Sequence, residues 1–227
     1  MSVKRLAALV LAILFLTGCG GGSLAIEALD KDRDFGAFHA SAPNVAQANR
    51  GWALVEEALA CYPEGFLEQW GRVNILLVAD LTGEEQFAGG HFAGFTQKTG
   101  TGWLMVLDTE RCDIGTVHHE IAHILDGILT EAGALTEADW MSFCPGSFSY
   151  GEGNFEDYPD FFADEYAMEN MKEDRARTFE DAMLYGAGVY EDKPALWLKL
   201  EYFSSAIRAH FDTTGWPEKP LWEQSLE

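Results

Sequence analysis

Within the run Thr116-Val117-His118-His119-Glu120-Ile121-Ala122-His123-Ile124-Leu125-Asp126, two histidines stand four residues apart, with a glutamate directly after the first. On a helix, positions four apart lie one above the other on the same face. His119 and His123 can therefore offer two imidazole nitrogens to one metal ion. Glu120 then lies where it can take a proton from a water activated by that metal. The chemistry this spacing predicts is hydrolysis by a metal-activated water with a carboxylate base. His118 points about 100° away around the helix, which suits packing or solvation. Asp126, one turn beyond His123, is either a polar support for a ligand or polar surface.

Two histidines do not hold a catalytic zinc; a third protein ligand is required, with a position left for water. Downstream the only histidine is His210, so the candidates are carboxylates. Asp160-Phe161-Phe162-Ala163-Asp164 would set two acids four apart on one helical face. One of them can coordinate the metal and the other orient a histidine ligand. Glu156 and Glu165 flank this segment as alternatives.

These residues need a helix under the histidines, and the sequence supplies one. Ile121, Ile124, Leu125 and Ile128 fall at i, i+3, i+4 and i+7, an apolar stripe that buries one face. Upstream, residues 44–61 read as an amphipathic helix, stopped by Tyr62-Pro63-Glu64-Gly65, with one further turn over 66–70. Residues 73–79 are β-branched and apolar, the pattern of a strand. After the glycine-rich stretch 89–96, residues 98–102 form a turn into a second strand over 103–107. Downstream, 135–140 reads as a short helix with a capping threonine, Thr136, and 143–153 as a loop. Asp157 is a plausible N-cap for a helix over 160–168, and 194–211 gives a last, mainly structural helix. The class is α+β, with a small mixed sheet and a mostly helical C-terminal part.

The formal net charge of −22 repels nucleic acid and anionic lipid, which excludes them as electrostatic partners. The N-terminus is a targeting segment: Lys4 and Arg5 precede an apolar run over 6–16. Leu16-Thr17-Gly18-Cys19 resembles the lipobox of bacterial lipoproteins, which implies a signal peptide over 1–18 and lipid on Cys19. A flexible tether is expected over 19–35 and a single domain over 36–227. Gly20 after the cysteine, by resemblance to sorting in Gram-negative lipoproteins, implies an outer-membrane location. Cys61, Cys112 and Cys144 lack zinc-ligand spacing, and an odd count leaves their pairing open.

With its H-E-x-x-H followed by Ile-Leu, a serine-tyrosine loop and an acidic segment, the chain resembles the gluzincin-like metallopeptidases. It is similar in particular to the zinc-binding metallopeptidases found as bacterial lipoproteins. Glu156-Asp157-Tyr158-Pro159-Asp160-Phe161-Phe162-Ala163-Asp164 is similar to the E-x-x-A-D or E-x-x-A-E motif of such families, with a Phe-Phe-Ala core like that of anthrax lethal factor. That resemblance implies a zincin-like fold and makes Asp160 the third zinc ligand. The aspartate departs from the usual glutamate and requires a closer approach. Asp164 would then orient a ligand. Tyr150 matches a tyrosine that sits near the metal in related enzymes and donates a hydrogen bond to the oxyanion.

The expected function is hydrolysis of peptide bonds, with Zn²⁺ on His119, His123 and Asp160, Glu120 as base, and a strand aligning the peptide through its backbone. The alternative is a zinc-binding lipoprotein without turnover, acting as a binding or assembly module.

Overall fold

The computed structural model describes residues 16–17, 22–83 and 90–226. Strand β5 (Arg72–Gly83) is its axis. The first half of β5 lies between two parallel partners, β2 (Ser23–Ala28) and β7 (Gly102–Asp108). A strand enclosed on both edges, and covered on both faces, carries a nearly continuous apolar run, as residues 73–79 do. Antiparallel strands flank this core: β1 (Leu16–Thr17) beside β2, and β6 (Gly94–Thr99) beside β7.

The second half of β5 pairs antiparallel with β4 (Phe38–Ser41), which pairs with β3 (Arg33–Phe35). The changeover is at Asp80, whose φ is +48°, where β5 accommodates one extra residue against β4. A bulge of this kind flips the side-chain alternation. Leu81, rather than Asp80, therefore joins Leu76 and Val78 on one face of the sheet. Phe35, Phe38, Phe92 and Phe95 pack over that face, with Phe38 stacked on Phe95 at 4.5 Å.

The opposite face carries rows set by the strand register, Leu24–Val73–Trp103 and Ile26–Ile75–Met105. Helices α1 (Val45–Leu59) and α2 (Ile114–Glu131) cover it, and α3 (Glu137–Met141), α4 (Met171–Tyr185) and α5 (Pro194–His210) complete the same core behind them. Asp113 starts α2 with a capping box, its side chain accepting from Thr116 N at 2.8 Å. Val117, Ile121, Ile124, Leu125 and Leu129 bury the inner face of α2. Gly127 lets the Trp103 ring of β7 lie directly on the helix; a Cβ there would fall 2.1 Å from the ring. Among the described residues no helix is long and apolar enough to cross a membrane.

The expected strand and helix regions around the histidines are present, and the structure adds a capping box at Asn44 for α1. Four expectations change. Residues 23–28, assigned to a flexible tether, form β2, because Leu24 and Ile26 alternate into the core. The helix expected over 160–168 is absent: the stretch is turns and bends ending in a single 3₁₀ turn, Tyr166–Met168. Phe162 and Phe148, 4.4 Å apart, instead pin it as an aromatic-walled loop. The sheet gains β3 and β4, where no strands were expected. Helix α4, also unexpected, forms where the sequence is densely charged. Cys19 and residues 1–15 lie outside the described residues.

Candidate metal centre

Helix α2 presents His119 and His123 with their rings 4.7 Å apart and nearly perpendicular. The acid that meets them comes from α4. Glu173 Oε2 lies 2.9 Å from His119 Nε2 and 3.4 Å from His123 Nε2. Among the described residues, His119, His123 and Glu173 form the group whose ligand atoms lie close enough together to hold a metal, all within 4.8 Å of one another.

Asn170 places this acid. As N-cap of α4 it accepts from Lys172 N at 3.0 Å and Glu173 N at 3.1 Å, fixing the first turn against α2. Seven residues on, Glu180 lies on the same face of α4, and its Oε2 accepts from His119 Nδ1 at 3.1 Å. One imidazole is thus held at both nitrogens. Arg177 pairs with Glu180, and through Nη2 with Asp164 Oδ2 at 2.7 Å.

Burial favours a neutral His119, but the hydrogen bonds to Glu173 and Glu180 outweigh it and lift its pKa to about 9. Burial likewise works against the Glu173 carboxylate, yet the two imidazoles hold it well below the usual carboxylate range. The same attraction is available to a cation that replaces the shared proton. Glu120 is buried, and burial raises its pKa against the pull of His123 and His119. Its Oε2 has no hydrogen-bond partner among the described residues. Two imidazoles and one carboxylate, with an unpartnered base beside them, fit a zinc ion that keeps a position open for water.

A cavity of about 270 Å³ opens beside this group. His91, Phe92, Ala93 and Gly94 form one wall, and Tyr166, Arg177 and Glu180 the other. Gly94 allows the close approach of β6 to α2, since a Cβ there would meet Val106 O at 2.9 Å and Glu120 Cγ at 3.3 Å. Thr96 Oγ1 donates to Glu120 O at 3.3 Å, tying the strand to the helix. Tyr166 packs on His119 with ring centroids 5.9 Å apart. Burial, then the charges of Glu173 and Glu169, hold its phenol protonated.

His119, Glu120 and His123 thus come together as their spacing predicts, but the structure does not bring Asp160 to them. Asp160, Glu156 and Glu165 are all exposed, because the loop turns its phenylalanines inward and its acids out. Asp164 touches no histidine; it pairs with Arg177 and accepts from Ala167 N at 2.9 Å. Tyr150 faces the interior, its hydroxyl donating to Asp174 Oδ2 at 2.6 Å, and it is Tyr166 that lines the cavity. His118 is a buried packing residue with Nδ1 3.0 Å from the Tyr62 hydroxyl. Asp126 is neither surface nor a support for His123: it pairs with Arg175 of α4 at 2.5 Å. Cys61, Cys112 and Cys144 are free thiols.

A signal for Glu173 existed. Glu173-Asp174-Arg175-Ala176 carries the E-x-x-A spacing, behind a capping asparagine, and Glu180 repeats on its face two turns later. The basic residue at 177, where the motif has an acid, and the charged run masked it.

The sequence matches no protein-family model and no curated protein. The fold is similar to the crystal structure of "a putative zinc-binding metallo-peptidase" from Bacteroides caccae, with a TM-score of 0.56 at 15% identity. The likeness covers 91% of this chain and 85% of that one. The likeness is one of fold.

Proposed function

We propose that the chain is a zinc-dependent peptidase in which His119, His123 and Glu173 hold the metal and Glu120 is the general base. The observation that carries this reading is the convergence of three ligand atoms beside a buried carboxylate oxygen with no partner of its own. Zinc, when bound, supplies a water of lowered pKa and polarises the scissile carbonyl. Glu120 takes the proton of the attacking water and returns it to the leaving amine. Tyr166, kept protonated, donates a hydrogen bond to the developing oxyanion. Glu180 fixes the ring orientation of His119.

An extended peptide would add along β6. β7 is paired on both sides, by β5 and β6, whereas β6 pairs only with β7 among the described residues. The proposal keeps the chain in the bacterial envelope, lipid-anchored through Cys19 at the outer membrane, with peptide or protein substrates and no nucleic acid.

The test is metal content of the purified protein together with hydrolysis of casein. About one zinc per chain is expected. Glu120→Gln should keep that zinc and lose turnover. A parent that binds no zinc would overturn the reading. Zinc without turnover in the parent would favour a binding module, although a pure metal holder has no use for Glu120 at that position.

A further inference from the structure

The first turn of α4 carries two carboxylates back to back. Glu173 faces the imidazoles; Asp174, one residue on and about 100° around the helix, faces inward. Asp174 Oδ2 accepts from the Tyr150 hydroxyl at 2.6 Å, Lys199 Nζ at 2.7 Å and Trp140 Nε1 at 2.8 Å. Lys199 also donates to Phe161 O at 2.6 Å and sits 4.1 Å from the centre of the Phe162 ring. A single oxygen thus ties the start of α4 to α3, to α5 and to the loop that carries Tyr150. Asp174 and Lys199 are both wholly buried, and Asp174 Oδ1 is left without a hydrogen-bond partner among the described residues.

Stability alone is a poor reason for such a pair. Desolvation of two charges offsets their attraction, and apolar residues of similar volume commonly do as well. The unpartnered oxygen adds a further cost. What the hub does fix is the rotation of α4. Turning a helix by about 20° moves a group on its rim by about 2 Å, whereas ligand distances in a metal site are held to about 0.2 Å.

We propose that Asp174 and Lys199 are positioning residues for the metal: by locking the rotation of the first turn of α4, they hold Glu173 at ligand distance from His119 and His123. This rests on the assignment of those three residues as zinc ligands.

The experiment measures Zn²⁺ affinity by chelator competition and the visible absorption of the Co²⁺-loaded protein, whose bands report the ligand set. It compares the parent with Asp174→Asn and with the double variant Asp174→Leu/Lys199→Met. Glu223→Gln is the control; it weakens another buried cluster, in which Glu223 accepts from Ser204 and Arg208. Both hub variants should lose about 10- to 100-fold in Zn²⁺ affinity and change the Co²⁺ bands. The control should lose thermal stability while keeping parental affinity and bands. If a hub variant does not fold, Tyr150→Phe removes one donor, leaves the ion pair, and should weaken Zn²⁺ binding about fivefold. Parental affinity and bands in the variants that fold would overturn the proposal and leave the zinc assignment standing. A parent that binds neither metal would overturn both.

Discussion

Glu173 and Glu180, seven residues apart on one face of α4, grip opposite nitrogens of the same imidazole: His119 Nε2 at 2.9 Å and Nδ1 at 3.1 Å. In the proposed zinc site the carboxylate at Nε2 would share the coordination position, and the one at Nδ1 would fix the tautomer and the plane of the ring.

Zinc affinity should separate the two roles. Glu173→Ala removes a ligand and should abolish tight binding. Glu180→Gln keeps an acceptor but removes its charge, and should weaken affinity about 10- to 100-fold. Asp160→Ala, at an exposed loop position, should bind as the parent does. Chelator competition on the three variants reads all of this, and loss of zinc from Asp160→Ala with retention in Glu173→Ala would reverse the assignment.

Tyr166→Phe should lower kcat for peptide hydrolysis by about 10²-fold with little change in KM, since its hydroxyl acts on charge that develops only in the transition state. Steady-state kinetics on a fluorogenic peptide would show it. An unchanged kcat would return the phenol to a packing role against His119.

The Asp126–Arg175 pair joins α2 to α4 in the interior, and Arg175 also donates to Thr136 O at 3.1 Å. Removing one partner leaves the other charged and buried. Arg175→Met should therefore cost about 3–5 kcal/mol in urea unfolding. The double variant Asp126→Leu/Arg175→Met should recover much of that loss, and equal losses in the single and double variants would argue against an uncompensated charge.

Burial, then the charges of Asp108 and Asp113, raises the Cys112 thiol to about 11. The sign is fixed: the anionic thiolate is disfavoured, so at pH 8 its population is about a hundredfold below that of an ordinary thiol of pKa 9. Site-resolved iodoacetamide labelling should be slow at pH 8 and still climbing with pH beyond 10. Asp113→Asn retains the helix cap, removes one charge, and should speed labelling. A rate that levels off near pH 9 would contradict the assigned environment.

The amino-acid sequence by itself determined that His119 and His123 share one face of a helix with Glu120 beside them, because a four-residue spacing on an amphipathic helix is a local property. It also determined the helices α1 and α2 and the apolar strands that support them. It did not point to Glu173, the acid that meets the two histidines. The E-x-x-A spacing occurs at Glu173, but charges at 172–175 and 177 conceal a helix whose apolar positions, Ala176, Phe179, Ala182 and Met183, are few. The segment over 160–164 is similar in motif but has a loop backbone, with Phe162 buried in its own aromatic cluster. Which tyrosine reaches the cavity and which carboxylate reaches the histidines were decided only by tertiary structure. They follow from how α4 packs across α2, and that is fixed by contacts between residues far apart in the chain, which no local periodicity encodes.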